Sequence, residues 1–239
     1  MPMLQKSEIR NRLLRAMTPA DFERLAARLE PIELPRRFVL SSANRPIDHT
    51  YFLESGIGSI VVESVGGRAA EICIVGSDGM VPNTAVLGAT SLPFAIFMQM
   101  AGHGHRIENV HLFAAYSESI SLRNLLNRYV QASTIQTAYT AFSNANHRIE
   151  QRLARWVLMC HDRSDDDTIA LTHEFLSIML GVRRQSITTT LHDLEGKRLI
   201  TSARGSMIVR DRSGLEALAA DAYGIPEREY DTLIRQGLS

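Results

Sequence analysis

Residues 171–209, LTHEFLSIMLGVRRQSITTTLHDLEGKRLITSARGSMIV, constrain the fold more than any other stretch. Thr172 stands ahead of a helical run and can cap it through its hydroxyl. Leu176, Met179 and Leu180 recur at helical spacing, and Ser177 is small enough for a second helix to cross closely. Gly181 sits where the chain must turn and can take positive φ. Val182 follows as an apolar plug. A second helix begins near Arg183 and buries Ile187, Leu191 and Leu194. Its other face carries Arg184, Gln185, Thr188, Thr189 and His192, all able to hydrogen-bond. Gly196 ends it. Leu199-Ile200 opens a strand, Ala203-Arg204-Gly205-Ser206 is a turn, and Met207-Ile208-Val209 returns. The pattern predicts a helix-turn-helix followed by a β-wing, which presents a short helix to the DNA major groove.

A helical hairpin with a polar outer face would also fit the first two helices. The strand pair directly after them favours the DNA reading, and so does local charge. From Arg183 to Arg212 there are seven Lys/Arg against three acids, on a chain whose formal net charge is zero. Phosphate neutralisation supplies most non-specific affinity for DNA.

The 239 residues allow one large or two modest domains. Neutral net charge argues against a protein that coats nucleic acid over its whole surface. Cys73 and Cys160 are the only cysteines and have no metal-ligand spacing, so no disulfide scaffold, zinc site, iron–sulfur cluster or other cofactor is expected. The charged, helical N-terminus carries no signal sequence, and no apolar run reaches the ~20 residues of a membrane span. A cytoplasmic protein without membrane contact is the expectation.

Residues 5–30 read as amphipathic helices, with Thr18 as N-cap and Pro19 at the first position of the second. From Pro31 to about Ile107, short apolar runs alternate with Gly, Pro, Asn and Asp. Strands are expected at 31–34, 37–41, 50–54, 57–63, 69–75, 94–101 and 105–112, enough for a jelly roll or barrel. A long helix follows over 118–143. Its Leu122, Leu125, Tyr129, Ala132, Gln136 and Tyr139 keep heptad spacing and are the expected dimerisation seam. A hinge is placed at 144–146. A further helix carries Ile149, Leu153, Trp156 and Val157, and a polar loop over 161–167 precedes the helix-turn-helix.

The order of elements resembles the Crp/Fnr family of bacterial transcription regulators over nearly the whole chain. Leu171-Thr172, Gly181, Arg184 and Leu199-Ile200 match the family pattern at the DNA end. Tyr51 to Gly56, Gly67, Glu71 to Val75 and Gly79 match the strands and glycines of its β-roll. The resemblance implies an α+β chain with three parts. These are N-terminal helices and a cyclic-nucleotide-binding-like β-roll over 1–117, a dimerisation helix over 118–143, and a winged helix-turn-helix domain over 144–239. It also implies a homodimer on a pseudo-palindromic operator in double-stranded DNA, with RNA polymerase as a further partner of an activator.

The departures narrow this. Cyclic-nucleotide binders of the family carry a Gly-Glu pair and then Arg-Ser or Arg-Thr. Here Gly79 is followed by Met80-Val81-Pro82, and no Arg or Lys occurs between Arg68 and Arg106. A buried phosphate without a cation is costly, so no cyclic nucleotide is expected in the usual site. The effector is left open. His103 and His105, flanked by glycines, read as solvated turn residues, with haem ligation as the alternative. Val86, Leu87, Leu92, Phe94, Ile96 and Met98 read as core, with an apolar ligand pocket as the alternative. At the DNA end, Arg183 stands where relatives carry Ser or Thr, and Thr189 where many carry a second Arg.

Arg184 is the expected reader of guanine and Gln185 of adenine, with Thr188 or Thr189 on a thymine methyl or a phosphate. Arg183 and His192 flank them. Thr172, His173 and Ser186 are candidates for the DNA backbone, and Arg204 in the wing for phosphate. No paired carboxylates, Ser/His/Asp set or phosphate-cradling glycine loop points to an enzyme. A winged helix used for protein contact is the remaining alternative.

Overall fold

The computed structural model describes residues 4–164, 166–203 and 205–235, apart from the side chains of His173 and Glu174. Two short helices, α1 (Arg12–Ala16) and α2 (Pro19–Ala26), lead into the roll. Asn11 and Thr18 cap them through side-chain oxygens. Eight strands follow: β1 (Glu30–Leu34), β2 (Val39–Ser41), β3 (His49–Leu53), β4 (Ile57–Glu63), β5 (Ala69–Val75), β6 (Met80–Val81), β7 (Ala95–Met100) and β8 (Gly102–Glu108). They form two antiparallel sheets, ordered β1-β8-β3-β6 and β2-β7-β4-β5. Between the sheets lie Leu34, Leu53, Ile96, Met98 and Val81, all buried. Val86 and Leu92 are buried as expected of core, whereas Leu87 is exposed.

His103 and His105 lie in strand β8, not in a turn. Their register with Glu33 and Pro31 of β1 is continuous. The glycines beside them are there for closeness: a Cβ on Gly102 would meet the Ser55 carbonyl oxygen at 2.2 Å, and one on Gly104 that of Phe52 at 2.3 Å. The strand expected over 105–112 stops at Glu108. Helix α3 (Asn109–Glu118) starts there, and Ser119 separates it from α4 (Ile120–Asn146). Ser119 Oγ accepts the Leu122 N–H and donates to Asp21, so one residue both caps α4 and ties it to α2. Helix α4 runs on through 144–146, and the break falls at His147–Arg148 before α5 (Ile149–His161).

The heptad seam on α4 faces the chain's own roll. Leu122, Leu125, Tyr129 and Ala132 are at most 5% exposed, and the first three pack on Leu13, Phe52, Met80 and Leu112. Gln136 accepts the Ile74 N–H at 2.9 Å, and Tyr139 is half-buried. Leu122, Leu125, Tyr129, Ala132 and Gln136 are therefore taken up within the chain, and among the described residues of the expected seam only Tyr139 shows no contact with the roll. Heptad spacing marks an apolar stripe without saying which surface covers it. The outer stripe of α4 is the neighbouring one, through Gln131, Thr134, Ala138, Ala141 and Ala145.

Beyond α5 come β9 (Thr168–Ala170), α6 (His173–Leu180), α7 (Arg184–Gly196), β10 (Ile200–Ala203) and β11 (Ser206–Val209). The wing has a third strand that the sequence pattern does not predict, in the order β10-β11-β9. Helix α8 (Arg212–Ala219) follows, and α9 (Ile225–Arg235) turns back to the N-terminal half. There Ile234 joins the core formed by α1, α2 and α4, and Arg12 pairs with Asp231 at 2.5 Å. The segment 144–239 is thus not self-contained, because its last helix packs on α4 and α1. Among the described residues no helix is long and apolar enough to cross a membrane.

Candidate DNA-binding surface and sensor joint

Helices α6 and α7 are set by their caps. Thr172 Oγ1 accepts the Phe175 N–H, and Gly181 closes α6 with φ +61°, a left-handed turn that a side chain would strain. Leu176, Met179 and Leu180 of α6 and Ile187, Leu191 and Leu194 of α7 share one core with Trp156 and Leu199. That core fixes the outward face of α7. Arg184, Gln185, Thr189 and His192 are exposed, and Ser186 and Thr188 are half-buried. Arg183 is at the N-cap and supplies no side-chain cap, so the first amides of α7 remain available to an anion. Thr188 and Thr189 donate their hydroxyls back to the carbonyls of Arg184 and Gln185 at 3.3 Å each. His192 leans towards Glu195 at 3.5 Å. Glu195 also accepts the Ser202 N–H at 2.6 Å, which joins the end of α7 to the wing.

Thr172 sits at the N-cap of α6. The His173 side chain and Arg204 lie outside the described residues. Lys197, Arg198 and Arg210 are exposed near the wing. The count of local charge included them, but periodicity gave no reason to single them out.

The roll is joined to this domain by polar groups that nothing in the sequence pattern singles out as partners. Glu71 on β5 is buried, and Trp156 Nε1 donates to its Oε1 at 2.8 Å. Ser59 Oγ lies 2.5 Å from Glu71 Oε2 and 2.6 Å from Gln99 Oε1. One hydroxyl hydrogen cannot serve both acceptors. A proton on Glu71 resolves this, with Glu71 donating to Ser59 and Ser59 to Gln99. With Glu71 ionised, turning over the Gln99 amide does the same, since its Nε2 has no partner as placed. Burial pushes the Glu71 pKa up to about 7, against the opposing hydrogen bonds from Ser59 and Trp156. Around this group α6 packs on the roll: Met179 Sδ lies 3.8 Å from Ser59 Oγ, and Phe175 meets Phe97 edge to face.

The space between the Gly79–Pro82 cassette and α4 is filled. The Tyr129 hydroxyl donates to the Met80 carbonyl at 3.1 Å, and a Cβ on Gly79 would fall 1.9 Å from the same hydroxyl. Met80 and Val81 are buried, and the cassette itself carries no cation. His103 Nδ1 pairs with Ser55 Oγ at 2.8 Å, and His105 Nδ1 lies 3.5 Å from Glu54. His103 is exposed, and the buried Nδ1 of His105 makes no hydrogen bond.

Residues 151–218 match the family model of the Crp-like helix-turn-helix domain. The C-terminal part of this chain is a Crp-like helix-turn-helix domain. The fold of the Crp/Fnr regulators extends over the rest. FixK2 from Bradyrhizobium japonicum is 13% identical, with a TM-score of 0.70 over 82% of this chain and 99% of its own. A CRP-family transcriptional regulator from Thermus thermophilus is 17% identical, with a TM-score of 0.67 over 81% of this chain and 98% of its own. The regulator CLP from Xanthomonas campestris, described as responsive to c-di-GMP, is 16% identical, with a TM-score of 0.64 over 80% and 99%. No curated protein matches the chain at the sequence level. The Crp-like domain ends at 218, so α9 lies outside it.

Proposed function

We propose that this chain is a sequence-specific transcription regulator of the Crp/Fnr type that binds a pseudo-palindromic operator as a homodimer. The observation that carries this reading is the exposed, uncapped polar face of α7 beside a basic wing. Arg184 offers a planar fork to guanine, and Gln185 an amide to adenine. Thr189 presents its methyl group, because its hydroxyl is turned into the helix. Thr188, Ser186, Arg183 and His192 border this row. Thr172, His173 and Arg204 are the proposed backbone contacts.

The dimer face proposed here is the outer stripe of α4 through Gln131, Thr134, Ala138, Ala141 and Ala145. No charged residue occurs between Arg128 and His147. Small neutral residues at this spacing let two helices approach closely. The filled cassette supports a regulator that does not take cyclic nucleotide at the usual site. If the protein activates, RNA polymerase is its second partner.

Selection of DNA from a random pool tests the reading. The expected product is two inverted half-sites about 10 base pairs apart, centre to centre. Enrichment of no sequence, or of a single unpaired half-site, would overturn it. Sedimentation of Ala138→Glu tests the dimer face, with monomers expected at concentrations where the parent is dimeric.

A further inference from the structure

The far end of α7 is built against local preference. The Leu199 N–H donates to the Leu194 carbonyl at 3.0 Å, and the Arg198 N–H to that of Glu195 at 2.8 Å. This pair of bonds closes a helix through one residue of left-handed conformation, a position that usually holds glycine. Here Arg198 holds it, with φ +60°. Its side chain is exposed, and among the described residues it has no hydrogen-bond or ion-pair partner. A glycine does stand two positions earlier, at Gly196, inside the last turn, where a Cβ would meet nothing within 4 Å. Stability alone would favour the reverse, alanine at 196 and glycine at 198. A cation gains from the dipole at a helix C-terminus, but Lys197 already supplies one from an ordinary helical backbone.

Arg198 belongs to a basic cluster. Lys197 is exposed and has no partner among the described residues. Arg210 is brought alongside because its N–H donates to the Leu199 carbonyl at 2.9 Å, while its Nε donates to Thr201 Oγ1 at 3.0 Å. Three acids lie close in the chain, and none is ion-paired with Lys197 or Arg198. Glu195 accepts the Ser202 N–H, Asp211 caps α8 through the Gly214 N–H, and Asp193 is exposed one turn back. Arg198 follows Arg184 by about 20 Å along the helix axis, more than the width of a major groove. With Arg184 on a base edge, the far end of α7 would stand over the sugar–phosphate backbone at the flank.

We propose that Arg198, with Lys197, grips a DNA phosphate flanking each half-site, and that this contact, rather than stability, accounts for an arginine in the left-handed position. The proposal rests on the DNA-binding reading and adds to it a contact that contributes affinity without base choice.

Affinity of the full chain for its selected operator, measured against salt and beside thermal melting, tests it. In Arg198→Gly the melting temperature should rise by about 2–4 °C as the strain is relieved. Affinity should fall about tenfold, equally on all operator variants. The slope of log affinity against log salt should become shallower by about two, one phosphate for each protomer. Arg198→Lys keeps the charge and should keep the slope. Lys197→Ala should make the slope shallower without moving the melting temperature. An unchanged slope in Arg198→Gly, or a loss confined to one base pair, would overturn the proposal while the parent still binds its operator. An unchanged slope with a lower melting temperature would make Arg198 a purely structural residue, and one with lost transcription in a purified system would assign the cluster to a protein partner. If the parent enriches no DNA sequence, the DNA-binding reading itself fails and the proposal falls with it.

Discussion

In α7 the polar side chains of one helix face outward, and the apolar ones hold it in place. At the joint of roll, α5 and α6 the arrangement is inverted: Glu71, Ser59 and Gln99 are buried and bonded to one another and to Trp156, with the Gln99 Nε2 left over. The first arrangement leaves donors and acceptors for a partner. The second uses up all but that one and sets how the Crp-like domain sits on the roll. Mutations in α7 should therefore alter binding with little cost to stability, and mutations at the joint should do the reverse.

The largest expected effect is at the filled cassette. Tyr129→Ala removes a buried ring and its hydrogen bond to Met80, and should cost about 3–5 kcal/mol in chemical denaturation. Half-site preference should stay the same in whatever fraction remains folded. A changed preference would break the division between the two regions.

Next is pH at the joint. Burial raises the Glu71 pKa to about 7, above its value in the unfolded chain. Below the ordinary carboxylate range both states hold the proton. Between that range and about pH 7 the folded state keeps a proton that the unfolded state has lost. Stability should fall as pH rises through this window, by up to about 3 kcal/mol, and level off above it. Glu71→Gln should remove that component, leaving a flatter profile of melting temperature against pH. An unchanged slope would show that another group carries the titration.

Arg184→Ala should cost about 1–3 kcal/mol of operator affinity and relax selection at one base pair, with the melting temperature unmoved. Equal weakening on all sequences would make Arg184 a phosphate contact instead. The smallest expected effect is none: titration with cyclic AMP should release no heat, and micromolar affinity would mean that Tyr129 leaves the cassette.

The sequence made the outward-facing region far more legible than the inward-facing one. Helical periodicity, Thr172 and Gly181 located α6 and α7 because caps and turns are set by neighbouring residues. Glu71, Ser59 and Trp156 lie far apart in the chain, and nothing local marks them as partners. The α4 stripe shows the same limit: its spacing was plain, but the choice between its own roll and a second copy depends on what the fold brings alongside. Strand β9 escaped notice because its short run, Thr168-Ile169-Ala170, carries no signal until β11 pairs with it.

The clasp between Arg12 and Asp231 links positions 219 residues apart. During synthesis the helices around the roll emerge first, and Ile234 and Tyr230 reach them only after the whole winged helix has been made. Contacts of such long range form late and slow folding. The N-terminal half must therefore spend most of translation with one flank of its core unfinished, and this flank is where a nascent chain of this protein would need protection from its neighbours.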